Sequence, residues 1–236
     1  NDLMQGECYD ARKENICEWH PVTEKQFGYE NLVCSNSFDV VEKENFIGKQ
    51  IHTPNGEVVI DFGQNIAGYV KFGFYAQAGQ CITLYHGECL DQNGNFTQEN
   101  FQAPEHRVEQ CVKYICKEGW NEYKPEKSIF GFRYIKAITD VKVTEKNFTA
   151  IAVYSDMPQT GKFECGHPGI NQLFSNAVRS MKGNFLEIPT DCPTRERTGF
   201  TGDAQVFVNT GMYLMECYPV YRKFLSELRE VQLEGG

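Results

Sequence analysis

No apolar run among these 236 residues approaches the ~20 that a membrane-crossing helix needs. The opening stretch, NDLMQGECYDARKE, has neither the basic nor the apolar region of a secretory signal, so the chain is expected to be soluble and cytoplasmic. On that reading the sequons at Asn95 and Asn147 are chance matches. An excess of positive charge is also missing: 23 Lys and Arg stand against 32 Asp and Glu, a formal charge of −9. Neither nucleic acid nor a membrane surface is therefore an expected partner, because both present anions to an anionic protein.

CxxC pairs are absent as well. The ten cysteines are scattered, which favours free, mostly buried thiols over disulfides or zinc, and Cys111 with Cys116 is a weak metal signal. Asp91, Asn93 and Asn95 imitate the start of a calcium loop, but Phe96 and Gln102 stand where that loop needs glycine and glutamate. DFGQN, at residues 61–65, lacks the glycine-rich loop and HRD segment of a kinase and reads as a strand-to-turn junction. His86, in an alternating strand, reads as a hydrogen-bonded structural histidine. No metal or cofactor is expected.

What the chain has is two patterns in series. From about 57 to 155 the period is two, in the runs EVVIDFG, GYVKFGFYA, CITLYHGECL, RVEQCVKYIC, FRYIKAITD and FTAIAVYSD. Val70, Phe72 and Phe74 fall on one face and Lys71 and Gly73 on the other. AQAGQ and DQNGN supply hairpin turns. The expected fold is an antiparallel β-sandwich or jelly roll over 57–159, with 1–56 a linker or the edge of that strand domain.

After residue 160 the period becomes helical. PGINQLFSNAVRSMKGN places Ile170, Leu173, Phe174, Ala177, Val178 and Met181 on one face behind Pro168. A second helix is predicted from near Asp203, with Val206, Phe207 and Leu214 inward, and a third from Pro219 to Gly235. Strands before helices point to two domains and not to an alternating fold.

Between the first two helices lies PTDCPTRERTGFTGDAQVF. Asp191, Glu196 and Asp203 are candidates for the paired carboxyl groups of sugar cleavage, one protonated and one ionised. Proline restricts the TDCP turn, and Arg195 and Arg197 stand ready to bind hydroxyls or set carboxylate pKa values. The same residues also fit an Asx-turn at Asp191, a helix cap at Asp203 and a surface ion pair at Glu196.

The segment TDCPTRERTGFTGDAQ closely resembles the motif of bacterial α-L-rhamnosidases of glycoside hydrolase family 78. GECYDAR, IDFGQNIAGYVKF, YHGECLD, FGFRYIKA and the stretch from YSDMPQTGKFECGHPG onward have counterparts there in the same order, covering essentially the whole chain. Departures are Thr194 for glutamine, Thr198 for leucine and Phe200 for tryptophan; Phe200 keeps an apolar wall without the indole N–H.

The resemblance implies an inverting glycoside hydrolase that takes terminal α-L-rhamnose from rhamnose-containing glycosides. It implies Glu196 as general acid, with Asp191, Arg195, Asp203 and Phe200 around the sugar. It also implies that the helices open an (α/α)6 barrel of twelve. Twelve helices with connections need roughly 180 residues, whereas 160–236 is 77. The general base, a later glutamate in the family, is thus expected outside this chain, the isolated chain is expected to be inactive, and its uncovered helix faces are expected to self-associate. A carbohydrate-binding accessory module without catalysis is the competing expectation.

Overall fold

The computed structural model describes residues 1, 5–14, 16, 18–105 and 107–234; Cys17 and Gly235 lie outside the described residues. The fold is mixed α/β, a curled sheet followed by three helices. Nine strands form the sheet: β1 (Gly6–Asp10), β2 (Val40–Ile47), β3 (Lys49–His52), β4 (Val58–Ala76), β5 (Cys81–Gly87), β6 (Cys111–Ile115), β7 (Gly119–Tyr123), β8 (Phe130–Thr139) and β9 (Phe148–Ser155). They run in the order β1-β6-β5-β8-β4-β9-β2, with β3 and β7 also paired to β4. Strands from the first 56 residues thus close both ends of the path, β1 parallel to β6 and β2 antiparallel to β9.

The sheet curls because β4 changes neighbours along its length. Its first part pairs with β3 and β8, its middle with β9 and its end with β7. At the changeover Gly68 pairs with both Phe130 and Ala152, and a Cβ there would stand 1.8 Å from the Ile151 carbonyl oxygen. Only glycine admits that approach.

Two runs that read as separate strands, EVVIDFG and GYVKFGFYA, are therefore one strand. DFGQN is no strand end but a bulge inside β4, where the register against β8 shifts between Asp61 and Ile66. The Asp61 carboxylate stabilises the bulge: Oδ1 accepts from the Gly63 N–H at 2.6 Å, and Arg133 donates to both oxygens at 2.7 Å. AQAGQ also departs from expectation. It joins β4 to β5, which are not neighbours, so it is a crossing turn and not a hairpin. DQNGN does turn tightly, between bridged Leu90 and Phe96. Both sequon asparagines serve the fold: Asn95 Oδ1 accepts from the Asn55 N–H, and Asn147 Nδ2 donates to the Gly73 oxygen.

Most buried apolar side chains fall into two clusters. The first fills the curl with Val70, Phe72, Phe74, Ile82, Tyr114, Phe130, Phe132 and Phe148, as the alternation predicts. The second joins Met157 to α1 (Pro168–Asn184), α2 (Thr201–Leu214) and α3 (Tyr218–Glu230). Pro168 opens α1 behind a His167 cap. Only the second half of the α1 apolar face is covered: Val178 and Met181 are buried, while Ile170 and Leu173 are exposed. Val206, expected inside, is 84% exposed, whereas Phe207 packs against the cluster and Leu214 is buried. The third helix ends at Glu230, short of the expected Gly235. None of the helices is long and apolar enough to cross a membrane among the described residues.

The nine described cysteines are all free, but only Cys116 and Cys217 are buried, fewer than expected. Burial pushes the Cys111 thiol up to about 12 and the Cys116 thiol to about 11, which keeps both protonated at neutral pH.

Candidate functional site

The TDCP segment is presented by a tight hairpin directly after α1, β10 (Phe185–Leu186) with β11 (Ile188–Pro189). Glu187, at its tip, has φ 71 and is held by the Ser155 hydroxyl, which accepts from its N–H at 2.9 Å. Thr190 closes the hairpin base through two bonds to the Asn184 oxygen, at 2.7 and 3.0 Å.

From there the chain makes a closed turn. The Asp191 N–H donates to the Thr198 oxygen at 3.1 Å, and the Thr198 N–H donates to Asp191 Oδ1 at 3.0 Å. Inside it, Arg195 Nε and a terminal nitrogen both donate to Glu196 Oε1 at 2.6 Å, while the Cys192 thiol donates to Oε2 at 3.2 Å. Arg195 chiefly, with help from Cys192, holds the Glu196 carboxyl down to about 2. Glu196 is therefore ionised in this arrangement. Asp191, Cys192 and Glu196 bring ligand-type atoms within 4.8 Å of one another, a cluster whose cation is already supplied by Arg195.

Arg197 does not face a ligand. Its guanidinium turns into the protein, donating to the Ile129 oxygen at 2.7 Å, the Thr194 oxygen at 3.0 and 3.1 Å and Gln110 Oε1 at 3.2 Å. It also lies over the Phe130 ring, 5.5 Å from its centre. Gln110, fully buried, passes the connection on: its side chain bonds both backbone groups of Gly131, and its backbone oxygen meets His86 Nδ1 at 2.9 Å. His86 stacks on Phe130 at 4.3 Å and burial drives its pKa down to about 4, so it is a neutral structural histidine. A Cβ on Gly131 would stand 2.6 Å from Thr194 and 2.7 Å from Pro193, so the turn rests directly on the sheet. Sequence reasoning missed Gln110 and this use of Arg197; the FGFRY glycine was the one local signal of close approach.

Asp191 and Asp203 meet at one concave site of about 400 Å³. Its walls are Met181 and Phe185 from the end of α1, Pro189 and Thr190 from the hairpin, Val206 and Phe207 from α2, and Tyr221 from α3. Asp203 stands in the first turn of α2, where the helix dipole favours an anion; Phe200, and not Asp203, occupies the cap position. Glu196, Arg195 and Phe200 lie outside this lining. Phe200 is 46% exposed at the head of α2. The arrangement offers two carboxylates within apolar walls, with the Glu196 carboxylate within 4.8 Å of Asp191 and paired to Arg195.

A family profile described as the bacterial alpha-L-rhamnosidase concanavalin-like domain matches residues 51–154. One described as the bacterial alpha-L-rhamnosidase six-hairpin glycosidase domain matches 158–236. An alpha-L-rhamnosidase of Streptomyces avermitilis is 32% identical over 100% of this chain and 24% of its own length. One of Formosa agariphila is 30% identical over 100% of this chain and 27% of its own. Among solved structures, the Streptomyces avermitilis enzyme complexed with L-rhamnose superposes with a TM-score of 0.85 at 32% identity, covering 98% of this chain and 24% of that one. The Aspergillus terreus enzyme gives 0.78 at 33% identity, covering 89% and 25%. The chain thus spans about a quarter of the length of the relatives it matches.

Proposed function

This chain belongs to the bacterial α-L-rhamnosidase family, glycoside hydrolase family 78, and from that premise we propose that it supplies the acid half of a site releasing terminal α-L-rhamnose from glycosides. The observation that carries the proposal is that Asp191 and Asp203 line one concavity and that Glu196 lies within 4.8 Å of Asp191. Asp191 and Asp203 bind rhamnose hydroxyls, Phe200 adds an apolar surface at the mouth, and Glu196 is the general acid.

A general acid must carry a proton, and Arg195 prevents that in the unliganded arrangement. Arg195 is the group that moves: drawn to a sugar hydroxyl, its guanidinium leaves Glu196, whose pKa then rises and allows protonation. The ion pair is partly exposed, with side-chain exposures of 34% and 31%, so breaking it is inexpensive. Inversion further requires a base ~6.5 to 9.5 Å from the acid across the sugar. We assign that base to the part of the relatives this chain does not span.

The curled sheet is read as the sandwich of the expectation, over 57–159 with 1–56 at its edges, and the helices of 160–236 as the start of a six-hairpin barrel. The two separate apolar clusters and the two family profiles support that division. An accessory sugar-binding role has one observation in its favour, the exposed Tyr75 and Trp120 rings packed 5.1 Å apart at the end of β4. Assay of an aryl α-L-rhamnoside tests the assignment of the base. No turnover by the 236 residues is expected, and turnover abolished by Glu196→Gln would show that the base lies within them.

A further inference from the structure

Beside the concavity that holds Asp203 is a second hollow, of about 440 Å³. The two share Ser180, Asn184 and Asp191 as a common wall. Their other walls differ in chemistry. The first is apolar and partly aromatic, through Phe185, Phe207 and Tyr221. The second is polar and has no aromatic ring among the described residues: the β4 bulge contributes Gln64 and Asn65, the segment after β5 contributes Glu88, and α1 contributes Asn176 and Arg179.

These polar groups are fixed in complementary roles. Asn65 Nδ2 donates to Glu88 Oε1 and Asn100 Nδ2 to Oε2, both at 3.0 Å, so the carboxylate is held in place while each oxygen keeps a lone pair for a further donor. Arg179 is exposed and enters no ion pair among the described residues, leaving its donors available. On the shared wall Asn184 Oδ1 is buried without a hydrogen-bond partner. Buried acceptors are nearly always satisfied; here the Asn184 Nδ2 donates to the Ser180 oxygen, and a turn of the amide toward the groove would bring Oδ1 to an incoming hydroxyl.

We propose that this second hollow is the subsite for the group to which rhamnose is attached, and that it takes a second sugar and not a planar aromatic. Sugar hydroxyls both donate and accept, which suits a fixed carboxylate, a guanidinium and side-chain amides within one groove. An aromatic aglycone gains chiefly from stacking and finds no ring there. Asp191, on the common wall, stands beside the bond that would join the two units. Through Asn65 and Glu88 the strand region then sets the aglycone preference of a site built on the helices.

The inference rests on the reading of the first concavity as a rhamnose site. Calorimetry with L-rhamnose, an α-L-rhamnosyl-(1→6)-glucose disaccharide and p-nitrophenyl α-L-rhamnoside separates the two. The disaccharide is expected to bind about tenfold more tightly than L-rhamnose, an advantage of one or two charge-assisted hydrogen bonds. In Glu88→Gln and in Arg179→Ala the ratio of those two affinities should fall toward one, and the nitrophenyl glycoside should show no such advantage in any form. A disaccharide that binds no better than L-rhamnose, an advantage that survives both substitutions, or an equal advantage for the nitrophenyl compound overturns the proposal while leaving the rhamnose site standing. Absence of binding by all three overturns the rhamnose reading and this inference with it.

Discussion

Removing the Arg197 side chain should cost far more than an ordinary surface substitution. Its guanidinium serves at least three acceptors, the oxygens of Ile129 and Thr194 and Gln110 Oε1, and both Thr194, on its own turn, and Gln110, before β6, are buried. Hydrogen bonds from a charged donor contribute about 1.5 to 3 kcal/mol each, and acceptors left unpaired in the interior lose a similar amount. Water reaches part of the half-buried site, so the total for Arg197→Ala is about 3 to 5 kcal/mol and not the full sum.

The backbone adds a second, separable effect. Arg197 has φ 52, in the left-handed region, where a side chain costs about 1 kcal/mol relative to glycine. Arg197→Gly should therefore be about 1 kcal/mol more stable than Arg197→Ala, reversing the usual order of the two residues. Lysine keeps the charge but not the planar fork, and should fall between wild type and alanine. Urea unfolding followed by far-ultraviolet circular dichroism reads all four proteins. Arg197→Ala within about 1 kcal/mol of wild type, or glycine no better than alanine, would refute the clamp.

Two further outcomes follow from charge. His86 has a folded pKa near 4 against an ordinary 6.5, because burial and then the Arg197 charge oppose its cation. The unfolded chain therefore binds the extra proton first, so stability should decline as pH falls from 6.5 toward 4, and His86→Phe should flatten that decline; equal slopes in the two proteins would contradict it. Arg195→Ala should raise the Glu196 pKa from about 2 toward the ordinary carboxylate range, as followed by carbon-detected NMR titration, and an unmoved value would mean that Arg195 is not what holds the carboxyl ionised.

The inner face of β4 was legible because side chains alternate across a strand: Val70, Phe72 and Phe74 are all nearly wholly buried. Its continuity was not, because Asp61 and Gly63 carry turn chemistry that here stabilises a bulge. The order of strands was not legible either. AQAGQ has the composition of a hairpin turn, and nothing local shows that β8 lies between the strands it joins. In the helices the periodicity located α1, but Val206, Ile170 and Leu173 are apolar without being buried, since a pattern names a face and not what covers it.

At the candidate site, the motifs singled out Asp191, Glu196 and Asp203, of which only Asp191 is held by the TDCP turn; Glu196 is held by Arg195 and Cys192, and Asp203 by the start of α2. Which arginine does what required coordinates. Arg195 and Arg197 are two positions apart in one short run, yet one pairs with Glu196 at the surface and the other anchors the turn to the sheet. The difference lies in the left-handed backbone at Arg197 and in Gln110, 87 residues away in sequence.

Asp191 and Asp203 are proposed together to form a rhamnose-binding concavity. Its most direct test is a calorimetric titration of L-rhamnose into the wild-type chain and into Asp191→Asn and Asp203→Asn, each checked for wild-type circular dichroism. A saturable heat is expected in the wild type and affinity about tenfold or more weaker in each variant, the loss expected for a charged acceptor. Equal affinity in all three proteins would contradict it.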